Sequence, residues 1–448
     1  MNGAWLLGMY LGNFPTLIKF FFYCFKALAL LLCIGYSHGA TEVLKLHAGE
    51  DSSPDLARYF SYIQSEKPLM PSEAIRGDVS YRPIETPEVN FGFTSNEIWL
   101  RITVLNDSDR AATWKFKNSA RTRAYLYIYE QVGNEVTLNY RHTLMDSFER
   151  RPIAYHLLVS DVHFAPGELK TLYIKLKGQF TSRISFQFQT DDNFKAFERF
   201  EFFKLGGFLA AMLTLIAINL FQYFAVRKPV YFYYSLMAFL STLSVTHHDG
   251  FNFQYLWPDS PELDNDMTLI LGVVTSIATI QVYRAAIGFK DIAPHFDFLL
   301  VMFMCVWALL IPSIYFFDSH VITEIASTAA IPISFIILLV AVVISIVNRV
   351  ESSWFYFAGW LSYAVGNCLF LAVCLGLNVA IFNDNISMLR YAMLAEAILL
   401  SMALANQVRS LHRKHDQTQS NYIRLLEDRI ADMKLVNEME HEKVRALK

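Results

Sequence analysis

The chain has 448 residues, 54% of them hydrophobic, 15% aromatic and only 18% charged, with a mean hydropathy of +0.29. A soluble domain carries roughly 25% charged residues, so this composition disfavours an ordinary cytosolic enzyme, while the low glycine and proline contents exclude a disordered or collagen-like chain. The net charge of −3 offers no basic surface, and no nucleic-acid partner is expected.

The apolar excess sits in a short N-terminal stretch and in the part from about Leu205 to Val408. At the N-terminus, Lys19 and Lys26 precede the apolar run Ala27 to Gly35, and small residues follow up to Ala40. That order is the pattern of a secretory signal and predicts a cleaved segment over 1–40, with cleavage after Gly39 preferred. An uncleaved anchor is the alternative, and both export the next domain. Cys24, Cys33, Cys305, Cys368 and Cys374 all lie in apolar runs, so the polar segment has no disulfide framework. With no CxxC or mixed Cys/His spacing, neither a metal nor a cofactor is expected.

Residues 41–203 have ordinary soluble composition. Strict alternation in Ile98 to Val104 puts Ile98, Leu100, Ile102 and Val104 on one face, as in a half-buried strand. Similar runs at Trp114 to Lys117, Tyr125 to Tyr129, Glu135 to Tyr140, Ala154 to Val159, Thr171 to Leu176 and Ile184 to Phe188 predict an antiparallel β-sandwich or jelly roll. Ser53 to Ile75 is ambiguous, with a short helix as one option. Opposite the core face lie Trp99 with Arg101, and Tyr125 with Tyr127 and Tyr129. Rings beside hydrogen-bonding groups suit the flat faces and hydroxyls of sugars. These five residues are therefore candidates for binding an extracytoplasmic carbohydrate or other small ligand; rings packed beneath a second layer are the bland alternative.

Residues 204–408 contain seven apolar segments near the roughly 20 residues a membrane helix needs: Leu205 to Val226, Val230 to Val245, Met267 to Tyr283, Phe298 to Phe317, Val321 to Val347, Trp354 to Leu377 and Ile386 to Val408. A seven-helix transmembrane bundle in a lipid bilayer is expected. Arg227, Lys228, Arg284, Lys290, Arg349, Arg409, Arg413 and Lys414 follow alternate segments, and the opposite loops carry acids without Lys or Arg. The positive-inside rule puts the polar domain outside and the C-terminus in the cytoplasm.

Ionisable groups inside such segments are costly and imply a role. Glu324 and Arg390 sit at matching depth near the outer ends of the fifth and seventh segments and are expected to face one another, or else each snorkels to the headgroups. Glu396 lies about 15 Å deep at 1.5 Å per residue and is expected to point inward, toward Asn219 or Asn367. His247 and His248, just outside the second segment, are candidates for a cation or pH response, although such a pair is more often structural.

In the segment 409–448, Ile423, Ile430, Asn437 and Val444 at position a place Leu426, Met433, Glu440 and Leu447 at position d. Six of these eight are apolar, which predicts a coiled-coil helix and a parallel homodimer, with Asn437 setting the register; a lone solvated helix is the alternative.

Three stretches carry a family resemblance: Asn96-Glu-Ile-Trp-Leu-Arg-Ile-Thr-Val-Leu-Asn106, Asp249-Gly-Phe-Asn-Phe-Gln-Tyr-Leu-Trp-Pro258 and Ala395-Glu-Ala-Ile-Leu-Leu-Ser-Met-Ala-Leu-Ala-Asn-Gln-Val-Arg409. The chain resembles bacterial seven-transmembrane receptors with diverse intracellular signalling modules. The resemblance implies a periplasmic jelly-roll sensor, similar to carbohydrate-binding modules, feeding seven helices in the inner membrane and then an output domain such as a histidine kinase or a cyclic-dinucleotide enzyme. The roughly 40 residues after Val408 are short for a catalytic domain. The expectation is therefore a sensory receptor that is not itself an enzyme and that passes its state to a cytoplasmic signalling partner or to an output domain. A transporter or ion-coupled pump with an exported accessory domain is the alternative, disfavoured because no repeat symmetry or paired broken helices are visible.

Overall fold

In the computed structural model the described residues are 42–446, apart from 48, 50–55, 78, 85–88, 92–95, 119–123, 179–182, 185, 314–315, 317–330 and 375–384. The expected signal over 1–40 lies outside them. The strands in chain order are β1 (Leu44–Leu46), β2 (Phe60–Ser65), β3 (Arg82–Pro83), β4 (Val89–Asn90), β5 (Glu97–Asn106), β6 (Ala112–Asn118), β7 (Ala124–Val132), β8 (Glu135–His142), β9 (Val159–Phe164), β10 (Leu169–Gly178), β11 (Arg183–Ile184) and β12 (Phe186–Gln189). A short helix, α1 (Pro71–Arg76), follows β2.

The large sheet runs β3-β2-β5-β10-β7-β8, and a second sheet runs β12-β6-β9. Neighbours are antiparallel throughout, except that β1 lies parallel to the end of β5. The alternation in β5 decides which face is buried: Ile98, Leu100, Ile102 and Val104 point into one apolar core. They meet Leu126, Ile128, Leu172 and Ile174 from the large sheet, and Trp114, Phe116, Phe164 and Phe188 from the small one. Two sheets facing each other across a shared core bury both inward faces.

The ambiguous segment is resolved, and one run differs from the alternation reading. Ser53 to Ile75 contains a one-turn 3-10 helix at Ala57–Tyr59, strand β2 and helix α1. The run Ala154 to Val159 is not a strand until its last residue. Tyr155, His156, Leu157 and Leu158 are all buried, and the Arg151 guanidinium donates to the carbonyls of Tyr155 and His156 at 2.9 and 3.0 Å. A side chain supplies the partners that a neighbouring strand would otherwise provide.

Helix α2 (Asp191–Val226) begins one residue after β12, with the Thr190 hydroxyl accepting from the Asn193 N–H at 3.3 Å as its N-cap. It therefore starts well before Leu205, and its first turns pack on the sheet domain through Phe194 against Tyr155. The remaining helices are α3 (Pro229–Asp249), α4 (Phe251–Tyr255), α5 (Pro261–Ile287), α6 (Phe289–Ile292), α7 (Pro294–Ala308), α8 (Leu310–Ser313), α9 (Ile331–Val347), α10 (Ser353–Cys374) and α11 (Asn385–Ala446). Among the described residues, four stretches are long and apolar enough to cross a membrane: Asp191–Val226, Pro261–Ile287, Pro294–Ser313 and Met388–Lys434; Ile333–Val347 is a shorter apolar helix. Helices α3 and α10, of 21 and 22 residues, also reach about 30 Å at 1.5 Å per residue.

The helices share one core, to which α3, α5, α10 and α11 contribute Tyr234, Tyr283, Tyr356 and Leu400. Gly366 of α10 permits a close crossing with α11, where an added Cβ would lie 2.3 Å from the Cβ of Ala392.

Candidate functional site

The strand register gathers all five sequence-predicted ligand residues on the outer face of the large sheet, Trp99 and Arg101 on β5 and the three tyrosines on β7, with β10 between them. Trp99 is fully buried there because α1 lies over it, so that Ala74, Trp99 and Tyr173 form a cluster. Its indole Nε1 donates to Glu97 Oε1 at 2.8 Å and its ring stacks on Tyr129 at 5.7 Å between centroids. Trp99 thus packs the outer layer, while Arg101, Tyr125, Tyr127 and Tyr129 stay partly exposed. Arg101 Nε donates to Ser61 Oγ at 3.2 Å, and its guanidinium carbon lies 4.5 Å from the Tyr81 ring centroid. Burial pushes the Tyr81 hydroxyl well above its usual range, with Tyr173 adding to the effect. It stays protonated and donates to the Ala74 carbonyl at 3.2 Å.

Sequence reasoning missed Glu97. It is buried, accepts from the Leu69 N–H at 3.1 Å and pairs with Lys175 at 3.0 Å. An acid at the head of an alternating run, on the parity opposite the core, was the available signal.

The second constellation lies where the sheet domain meets the helices. Gly250 turns α3 into α4 with φ of +91°, a conformation glycine adopts without strain. This brings Phe251 and Phe253 to the sheet domain. The His156 ring stacks on Phe251 at 4.1 Å, and Phe148 meets Phe253 edge-on at 5.9 Å. The Arg151 guanidinium lies over both Phe148 and Phe253, and the Phe148 N–H donates to the Pro258 carbonyl at 2.8 Å.

A cavity of about 40 Å³ at this junction is lined by His142, Asp146, Arg151, His156, Phe253 and Asp264, among others. Such a space holds on the order of a few waters. Burial and the nearby Arg151 charge push the His142 imidazole down to about 4, so it is neutral at physiological pH. Burial raises the Asp146 carboxyl, but hydrogen bonds from Thr143 and Arg150 outweigh that and leave it below its usual value.

Beneath the junction, His247 and Asp264 hold α3 to α5. Nδ1 of His247 lies 3.4 Å from Asp264 and Nε2 lies 3.1 Å from Thr268 Oγ1, while Trp257 Nε1 donates to Asp264 at 2.9 Å. His248 meets Phe370 edge-on at 5.5 Å. Asp249, the last residue of α3, pairs with Arg390 of α11, and both are buried. Arg390 is thus tied to the head of the stretch Asp249 to Pro258 that carries part of the family resemblance; Glu324, its expected partner, lies outside the described residues.

Helix α11 is a hub of hydrogen bonds. Asn219 of α2 donates to Ser401 at 3.0 Å, Tyr234 of α3 to the Ala397 carbonyl at 2.7 Å, and Ser362 of α10 to the Ala392 carbonyl at 3.1 Å. Gln407 donates in turn to Ala286 of α5 at 2.9 Å. Glu396 is buried as expected, but Asn219 bonds Ser401 instead, and Asn367 donates to the Tyr363 carbonyl of its own helix. One carboxyl oxygen, Oε1, has no hydrogen-bond partner among the described residues. In the tail, Ile423, Leu426, Ile430 and Met433 are exposed on α11. The side chains of Asn437 and Val444, and all of Leu447, lie outside the described residues. No group of three or more potential metal ligands occurs among the described residues.

Two family models match the chain: 7TM diverse intracellular signalling over residues 201–407, and the 7TMR-DISM extracellular 2 domain over residues 57–190. No curated protein matches it. The first model covers the helical part built around α11 and the second the sheet domain that rests on α4, in the order the fold requires. The chain belongs to the seven-transmembrane receptors with diverse intracellular signalling, as a multi-pass membrane protein with an extracellular domain.

Proposed function

We propose that the sheet domain is a periplasmic sensor of jelly-roll type and that the receptor sits in a bacterial inner membrane with seven crossings and a cytoplasmic tail. Its ligand is a carbohydrate or other small molecule, taken on the outer face that carries Arg101, Tyr125, Tyr127 and Tyr129. The output is passed to a cytoplasmic partner, a histidine kinase or a cyclic-dinucleotide enzyme, by a parallel homodimer whose tails form a coiled coil. In this reading catalysis belongs to the output partner or domain, and the segment described does no chemistry of its own.

The observation that carries the reading is one continuous path. The sheet domain grips α4 through Phe148, Arg151 and His156; α4 follows Asp249 after Gly250; Asp249 pairs with Arg390; and Arg390 lies in the first two turns of the helix that becomes the tail. A ligand that binds one docking geometry better than another shifts the whole path between two states. The positive residues after alternate helices support the orientation.

The test is hydrogen exchange on the full chain in lipid nanodiscs. Arg151→Ala, which loosens the grip on α4, should change exchange in residues 412–434 of the tail. An exported domain that is only an accessory would leave the tail unaltered. Thermal-shift screening of the same preparation against monosaccharides and disaccharides addresses the ligand class.

A further inference from the structure

Within the membrane part of α11, between Met388 and Ser410, the exposed positions are Tyr391, Ile398, Met402, Ala405 and Arg409, and every other residue is half-buried or buried. Their spacings of 7, 4, 3 and 4 are those of a heptad seam. Counting back in sevens from Ile423 at a and Leu426 at d gives Met402 and Arg409 at a, and Tyr391, Ile398 and Ala405 at d. The lipid-side stripe of the membrane helix and the exposed stripe of the tail therefore occupy one register on one unbroken helix of 62 residues.

We propose that this stripe is the contact surface for a second copy of the chain, so that the dimer seam runs through the membrane along Ile398, Met402 and Ala405 and continues into the tail. The inference rests on the dimeric receptor reading given above and extends it from the tail into the bilayer. Three observations favour a second copy as the occupant. Residues 412–434 are exposed, with Lys414 paired to Glu351 at 2.8 Å, and Ile423, Leu426, Ile430 and Met433 among them form an apolar row that nothing covers among the described residues. Two copies in one membrane share their orientation, so only a parallel pairing is open, which an in-register seam requires. Ala405 also allows the close approach that membrane helices use where lipid offers no hydrophobic drive.

Two details follow from the geometry. From Ile398 to Met433 is five heptads, over which a straight helix drifts roughly 100° from a 3.5-residue repeat. The paired helices must therefore coil left-handedly to keep both ends in contact. Between the two apolar stretches the seam carries Arg409, His412, Asp416 and Gln419, polar layers that pin the register at a cost in stability.

The experiment is disulfide crosslinking of the full chain in membrane vesicles, with native cysteines replaced by serine and one cysteine introduced at a time. Ile398→Cys, Ala405→Cys and Ile423→Cys should give covalent dimers. Two exposed positions off the seam, Phe221→Cys on α2 and Leu425→Cys in the tail, should give several-fold less. Dimers at Ile423→Cys with none at Ile398→Cys or Ala405→Cys would overturn the membrane seam and leave the dimeric receptor standing. Absence of dimers at every position overturns both, and equal crosslinking at the control positions marks random collision and overturns the seam.

Discussion

Asp249 and Arg390 form an ion pair buried on both sides, joining the end of α3 to the start of α11 across 141 positions of sequence. Nε and Nη1 of Arg390 find no other acceptor among the described residues, and its guanidinium carbon lies 5.9 Å from the Phe208 ring centroid. Removing one partner of a buried pair leaves an uncompensated charge and costs about 3–5 kcal/mol. Asp249→Asn and Arg390→Gln should each lower thermal stability by that order in detergent or nanodiscs. The double variant should lose much less than the sum, and strict additivity would show that the pair is not coupled.

The sheet domain should lose stability as pH falls from about 6.5 to 4. His142 is held at about 4 when folded against an ordinary value of 6.5, so in that window the unfolded chain binds a proton that the folded domain refuses. The stability is present above about 6.5, falls on the way down and levels off near 4, a change on the order of 3 kcal/mol. Asp146, depressed when folded, acts in the same sense at lower pH. His142→Gln should flatten the melting temperature between pH 6.5 and 4.5, and an unchanged slope would place the titration elsewhere.

Trp99→Ala should destabilise the sheet domain by about 3–5 kcal/mol, the cost of emptying a large aromatic site, and should leave Glu97 short of a donor. Tyr127→Ala, at a partly exposed position on the same face, should cost far less. Thermal unfolding followed by near-UV circular dichroism separates the two. Comparable losses would mean that α1 does not enclose Trp99.

Two glycines of α10 should behave differently. A Cβ at Gly366 would meet the Cβ of Ala392 at 2.3 Å, whereas at Gly359 the nearest atoms lie at 3.5 to 3.6 Å, in ordinary contact. Gly366→Ala should destabilise by about 1–3 kcal/mol through overpacking, and Gly359→Ala should be close to neutral. Equal melting temperatures for the two variants would contradict the close crossing of α10 and α11.

The alternation in Ile98 to Val104 was legible because β5 has one apolar face and one covered by polar and aromatic groups, which is the case period two detects. Ala154 to Val159 misled the same test, since Tyr155 to Val159 are buried without alternation and Arg151 takes the carbonyls of Tyr155 and His156. Arg390 and Glu396 stood out as ionisable groups in apolar segments, but their partners did not. Asp249 read as a loop acid because helix α3 runs to that residue, beyond the apolar stretch that marks it in sequence. Asn219 was recognised as polar, yet its bond to Ser401 depends on how α2 crosses α11. The pairing of distant side chains is a tertiary fact, and hydropathy carries no information about it.

Only Thr190 separates strand β12 from helix α2. One residue spans about 3.5 Å at most, so the exported domain is joined to α2 by a stub instead of a tether and cannot drift from the start of that helix. The motion left to it is a rocking about that stub. Small angular changes near Thr190 would then become larger excursions at parts of the domain farther from the pivot.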